Sequence, residues 1–307
     1  MAMINLLSLL LVAAAAERLH AQVREQAGRR LLPTPKYMKV MTYNCQPKGK
    51  SGGNTRAEMQ LVVLEKAMSN PELFDFIGTQ EECKRALHGT SKGDALAALN
   101  YTMTGDALKG YWGSPIIYNP FRWTKEASGN FTIANPYTGG HVNGLGASAD
   151  TRPCNWGIYS KNLQPHTRDV NQGYTVLLVN CHFPHSDSTR RTLKAPSLMN
   201  QVTSQVEVAT GVYWGKKNFD QMWMTGDMNE YGTNYAGDNT NGFRVKIFGE
   251  QLKQGNGANA LQTLGSKAAD RVYYWTAGAL KEEPTAELAD TSKASDHKPV
   301  KLTLKFR

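Results

Sequence analysis

Four short apolar runs in this 307-residue chain end in polar clusters: Met41-Thr-Tyr-Asn44, Ile77-Gly-Thr-Gln80-Glu81, Val179-Asn-Cys-His182 and Met224-Thr-Gly-Asp227-Met-Asn229. A fifth cluster, Ser295-Asp296-His297, stands near the C-terminus. Carboxylates, amides and imidazoles are the groups that hold hard cations and move protons. Taken singly, each has a structural reading: Asn44 and Asn229 as turn residues, Glu81 as a helix N-terminal carboxylate, Asp296 as an N-cap. Strand ends of a sheet converge on one rim, so ligands for one site can come from distant parts of the chain.

The elements that would position these clusters alternate in type. The pattern predicts strands over Met38–Asn44, Leu73–Thr79 and Gly113–Asn119, with a helix over Arg56–Met68. Residues Ala127–Asn155 are rich in Gly, Asn, Ser and Thr without a period, and are predicted as loops and short strands. Strands at Trp156–Tyr159 and Tyr174–His182 follow, then a helix through Arg191–Val212. The strand Gln221–Thr225, a loop-rich stretch at Gly232–Gly242, and strands at Arg271–Trp275 and Pro299–Lys305 complete the chain. No repeat or composition break divides residues 37–307. The expected fold is α/β, with two packed mixed β-sheets flanked by helices in a four-layer sandwich.

Composition bounds the partners. With 35 Lys and Arg against 26 Asp and Glu, the net charge of +9 favours a polyanion such as nucleic acid or an anionic lipid head group. Residues 1–36 carry five basic and two acidic residues, which leaves +6 for residues 37–307. The apolar run from Leu6 to Ala16, broken only by Ser8, reads as a signal-peptide h-region and is too short for a spanning helix. Cleavage is expected after Ala16 or as late as Ala21, and residues 17–36 read as a linker or pro-segment. A secretory route would place Cys45, Cys83, Cys154 and Cys181 in an oxidising compartment, where three complete pairings are open. They contain no CxxC spacing, which argues against zinc. Two sequons, Asn100-Tyr-Thr102 and Asn130-Phe-Thr132, agree with that route.

The ordered set of clusters resembles the endonuclease/exonuclease/phosphatase superfamily, whose best-known fold is that of deoxyribonuclease I. The resemblance spans Met41 to Leu302. It rests on Asn44 ending the first strand, the Gln80-Glu81 pair, Gly226-Asp227-Met228-Asn229 as the GDxN motif, and Ser295-Asp296-His297 as the SDH motif. SPIIYNP at Ser114–Pro120 and Ala269-Asp270-Arg271-Val272 match two further family strands.

The resemblance implies a metal-dependent phosphoric ester hydrolase. A phosphoester repels hydroxide, so its oxygens must be neutralised and a water aligned with the leaving group. Mg²⁺, for which Mn²⁺ can substitute, would be held chiefly by Glu81, with Asn44 and Asp296 nearby. Asp227 would orient or deprotonate the water, and Asn229 would donate to a phosphoryl oxygen. His297, paired with Asp270, would contact the phosphate or transfer a proton. His182 matches a donor position of the family, and Arg152 and His185 are the remaining phosphate-binding candidates. Cys45 and Cys181 adjoin these residues, but strand alternation turns them to the opposite face, as packing or disulfide residues.

Substrate choice lies in the loops. The stretch Gly265-Ser-Lys-Ala-Ala269 lacks the Pro-x-Trp-Cys of inositol phosphatases, whereas Arg152-Pro153-x-x-x-Gly157-Ile158 resembles the secreted deoxyribonuclease and toxin-subunit branches. Tyr111-Trp-Gly113 departs from the pancreatic-type pattern, which has an acid there. The expectation is a secreted, monomeric nuclease acting on DNA, with no transmembrane anchor. The alternatives are a sphingomyelinase or phosphoinositide phosphatase acting on a phospholipid head group, or a catalytically silent binding protein.

Overall fold

The computed structural model describes residues 37–45, 53–69, 73–81, 95–105, 113–134, 151–162, 174–183, 191–214, 219–229, 246–248, 250–254, 269–277, 280, 285–288, 295 and 297–306. In chain order the elements are β1 (Tyr37–Asn44), α1 (Gly53–Met68), β2 (Phe76–Gln80), α2 (Ala95–Ala98), β3 (Thr102–Thr104), β4 (Ile116–Tyr118), β5 (Trp123–Ala134), β6 (Thr151–Lys161) and β7 (Thr175–His182). There follow α3 (Arg191–Trp214), β8 (Gln221–Asp227), β9 (Lys246–Ile247), β10 (Glu250–Gln251), β11 (Lys253–Gln254), β12 (Asp270–Thr276), β13 (Thr285–Leu288) and β14 (Val300–Lys305).

Two six-stranded sheets form the centre, in the orders β13-β14-β1-β2-β4-β3 and β11-β12-β8-β7-β6-β5. Both are mixed. The β1–β2 and β7–β8 pairs are parallel, and the pairs outside them are antiparallel. β7 is buried along its whole length, which explains its nearly continuous apolar run TVLLVNCH. α1 covers the outer face of the first sheet with Leu64, Ala67 and Met68 against Met41, Tyr43 and Ile77. α3 covers the second with Leu198, Val202 and Val206, spaced to share one face of a helix, against Trp156, Val179 and Met224. The result is the expected four-layer arrangement.

Between the sheets the side chains grade from apolar to polar along the strands. Met38, Val40, Phe76, Val176, Leu178, Trp223 and Val272 fill one end. Two residues further along β1, β7 and β8 come Thr42, Asn180 and Thr225, all buried. Two residues further again come Asn44, His182 and Asp227, because alternation keeps every second residue on the inner face. Asn180 binds this middle layer together. Its Nδ2 donates to Thr79 O, Ser114 O and Pro115 O at 2.8, 3.0 and 2.9 Å, while its Oδ1 accepts from Thr225 Oγ1 at 3.0 Å. Gly78 leaves the space, since a Cβ there would fall 2.2 Å from Thr225 Oγ1 and 2.6 Å from Asn180 Oδ1.

Two expectations are corrected. The stretch beginning at Ala127 is no loop region at its ends: β5 runs twelve residues to Ala134, and β6 begins at Thr151. Only Trp123 and Ile133 of β5 are buried, so its composition carries no core signal and pairing with β6 imposes its extended form. Strand β2 begins at Phe76, three residues later than Leu73, whose φ of 38° is incompatible with a strand. Cys154 and Cys181, opposite each other on β6 and β7, form a disulfide on the outer face. Cys45 is disulfide-bonded as well, and Cys83 lies outside the described residues.

Candidate active site

Topology brings the polar clusters to one rim. Asn44 ends β1 and Gln80 ends the parallel β2, while His182 and Asp227 are paired at the ends of the parallel β7 and β8. β12 runs the other way, so its first residue, Asp270, pairs with Asp227. β14 is antiparallel to β1, and Ser295 and His297 lie just ahead of it at the same end.

Asp227 is the centre of the group and is 1% exposed. Its Oδ2 accepts from Asn44 Nδ2 at 2.8 Å and lies 3.7 Å from His182 Nε2 and 3.9 Å from His297 Nε2. Its Oδ1 accepts from the backbone N–H of Asn229 at 2.7 Å. Asn44 Nδ2 also donates to Glu81 Oε1 at 3.3 Å, and that oxygen stands 3.7 Å from His182 Nε2. Behind His297, Nδ1 meets Asp270 Oδ2 at 2.7 Å, which fixes the ring and aims Nε2 at Asp227. Ser295 ties this arm to the first strand: its Oγ donates to Asn44 O at 2.9 Å and accepts from His297 N at 3.1 Å.

Backbone strain sets the direction of two of these residues. Glu81 directly follows Gln80, which faces inward, so simple alternation would turn the Glu81 side chain to the outer face. Its φ of 62° lies in the left-handed region and returns the carboxylate to Asn44. Asn229 has a φ of 48°, a conformation asparagine tolerates, and its Nδ2 donates to Phe183 O at 2.7 Å. Between them, Gly226 has a φ of 155° and a Cβ there would lie 2.0 Å from Cys181 O. Only glycine fits before Asp227.

Charge is concentrated and poorly solvated here. Burial, followed by the neighbouring Asp227 carboxylate, pushes Glu81 up to about 7, against the smaller opposing effects of Asn44, His297 and Arg152. Arg152, buried near the start of β6, has its pKa lowered by desolvation, while Glu81 and Asp227 act to raise it. The guanidinium is therefore within electrostatic reach of both carboxylates.

Among solved structures the fold recurs at low sequence identity. An endonuclease/exonuclease/phosphatase family protein from Bacteroides thetaiotaomicron matches with a TM-score of 0.56 and 18% identity over 89% of this chain and 99% of that one. A mannosyl-6-phosphatase from the same organism gives 0.59 and 18% over 88% and 100%. TDP2 of D. rerio, complexed with single strand DNA product, gives 0.57 and 14% over 88% and 100%. The chain has the endonuclease/exonuclease/phosphatase fold. No family model and no curated protein matches it in sequence.

Proteins of the endonuclease/exonuclease/phosphatase fold imply a divalent cation, and the donor set here suits one. Two carboxylates, Glu81 and Asp227, share a single amide donor in a buried setting that raises the pKa of Glu81. A hard cation favours such oxygen ligands and would relieve that excess negative charge. Among the described residues, Asp227, Asp270 and His297 form the group whose potential ligand atoms all lie within 4.8 Å. His297 Nδ1 and Asp270 are already paired, however, which makes them an orienting couple for the imidazole. Glu81, which among the described residues has no such partner imidazole at hydrogen-bond distance, is the candidate cation ligand.

Of the residues singled out from sequence, Asn44, Glu81, His182, Asp227, Asn229, Asp270 and His297 are brought together, with Arg152 within reach. His185 and Asp296 lie outside the described residues. Gln80 takes a different part from its neighbour: fully buried, it donates to Thr42 Oγ1 at 3.1 Å and to Asn180 Oδ1 at 2.7 Å. Sequence reading gave Asn180 and Thr225 no part, although an amide inside the apolar run TVLLVNCH was the available signal.

Proposed function

We propose that the protein is an exported, divalent-cation-dependent phosphodiesterase acting on DNA. The observation that carries the hydrolase reading is the convergence of Glu81, Asn44, Asp227, His182 and the His297–Asp270 couple on one rim, with carboxylate and imidazole groups within 4 Å of each other. Glu81 would hold a divalent cation, which would supply charge neutralisation at the phosphoryl oxygens. Asp227, fixed by Asn44 and the Asn229 backbone, orients the attacking water and accepts its proton. Asn229 and His182 donate to phosphoryl oxygens, and His297, held by Asp270, moves a proton at Nε2. Arg152 adds positive charge for the phosphate backbone.

DNA is favoured by the positive balance outside the first 36 residues and by the Arg152-Pro153-x-x-x-Gly157-Ile158 pattern. The TDP2 likeness supports a nucleic acid only at the level of fold. Export rests on the N-terminal apolar run and on the absence of a free cysteine among the described residues. No described helix is long and apolar enough to cross a membrane.

The test is a substrate panel. One preparation lacking residues 1–16 is assayed on supercoiled plasmid, sphingomyelin vesicles, a phosphoinositide and a sugar phosphate monoester, with Mg²⁺ and with chelator. Cation-dependent nicking of plasmid is expected to exceed hydrolysis of the others. Rapid turnover of a lipid or a monoester without nicking would replace the substrate and leave the hydrolytic site standing.

A further inference from the structure

The two sequons stand at the edge strands of the two sheets. Asn100 is exposed in the turn before β3, the outermost strand of the first sheet, and Asn130 is exposed in the middle of β5, the outermost strand of the second. β3 and β4 both pack against β6, the strand beside β5. Asn100 lies away from the rim that gathers the catalytic candidates. Thr102 pairs with Tyr118, which pairs with Phe76 at the opposite end of β2 from Glu81. Asn130 is two strands from β7 and three from β8, or about 10 and 14 Å at ordinary strand spacing.

Among the described residues the edge at β5 is an open one: no strand pairs with its outer side, yet it extends for twelve residues. Sheet proteins guard such edges with charges, prolines or bulges. Here the charged pair Lys125-Glu126 and a bulge stand only at the start, and at the far end the Gln201 amide satisfies both Ala134 N and Ala134 O, at 3.0 and 2.9 Å. Between them, Ala127-Ser-Gly-Asn-Phe-Thr-Ile-Ala134 contains no charged residue and no proline. Asn130 stands at the centre of this unguarded stretch. We infer that Asn100 and Asn130 each carry an N-linked oligosaccharide and that the glycan on Asn130 blocks strand addition at the open edge of β5. The acceptor chemistry is met at both: the residue between Asn and Thr is not proline, and each asparagine remains exposed in the folded chain. A hydrated oligosaccharide there does sterically what a lysine does electrostatically on other edges.

This inference rests on the export reading, and the experiment separates the two. The full chain is expressed in a glycosylating eukaryotic host, once with its own N-terminus and once with a host leader in place of residues 1–16. Exported protein should lose mass in two steps with peptide N-glycosidase, and Asn100→Gln and Asn130→Gln should each abolish one step. Modification under the host leader alone would support the sites and sink export by the native leader. Exported protein with both asparagines unmodified would overturn the inference. For the edge, Asn130→Gln should sediment as larger assemblies while Asn100→Gln stays at the size of the glycosylated protein, and Asn130→Lys should restore that size. An Asn130→Gln protein no larger than the glycosylated one would refute the guarding role.

Discussion

Gln80 Nε2 donates to Asn180 Oδ1 across 2.7 Å, a hydrogen bond that joins the two sheets one step below the rim of candidate site residues. Gln80 immediately precedes Glu81, and Asn180 stands two residues before His182 on the same face of β7. The bond therefore sets the separation at which the first sheet's carboxylate meets the second sheet's imidazole, 3.7 Å.

Replacing Asn180 with Leu should be severely destabilising. The carbonyls of Thr79, Ser114 and Pro115 and the Gln80 amide would lose a partner in a buried layer, at a cost of about 3 kcal/mol or more. Urea denaturation measures it directly, and a loss within experimental error would mean that the layer rearranges around the change.

Glu81→Gln, Asp227→Asn and His297→Ala should each lower turnover of an activated phosphodiester by about 100-fold or more. The two carboxylate variants should leave the melting temperature unchanged or raised, whereas His297→Ala should lower it, because the buried Asp270 carboxylate loses its 2.7 Å partner. Glu81→Gln should gain most, since it removes a buried charge beside Asp227. Loss of cooperative folding in all three would make them structural.

Metal-free protein should lose stability as pH rises. Glu81 holds its proton up to about 7 in the folded chain against an ordinary value of 4.5. The folded state therefore binds the proton more tightly, and this group favours folding at acid pH, by at most about 3 kcal/mol. That contribution is lost as pH climbs through about 7. Melting curves in chelator should show the decline, and saturating Mg²⁺ should abolish it, because the cation binds the ionised carboxylate and releases the proton. An identical pH slope with and without Mg²⁺ would remove Glu81 from the cation site.

Asp270→Asn should cost about 100-fold in turnover with the cation affinity retained, because it frees the His297 ring without touching Glu81. Mg²⁺ titration of the variant separates the two effects. Equal losses in turnover and in Mg²⁺ affinity would place Asp270 among the cation ligands instead.

Much of this protein is legible along the chain. The apolar runs that become β1, β7, β8, β12 and β14 are buried on one or both faces, so their composition announces them, and the polar residue at the end of each marks the rim. The twelve residues of β5 are not legible, because a half-exposed edge strand has no apolar period and is held by its neighbour. Nor does strand alternation account for the parts of Gln80 and Glu81, adjacent polar residues of which one bridges the sheets and the other enters the site. Alternation alone sends Glu81 outward. The left-handed backbone at that single residue brings it back, and such strain is stable only because the packed sheets on both sides hold it.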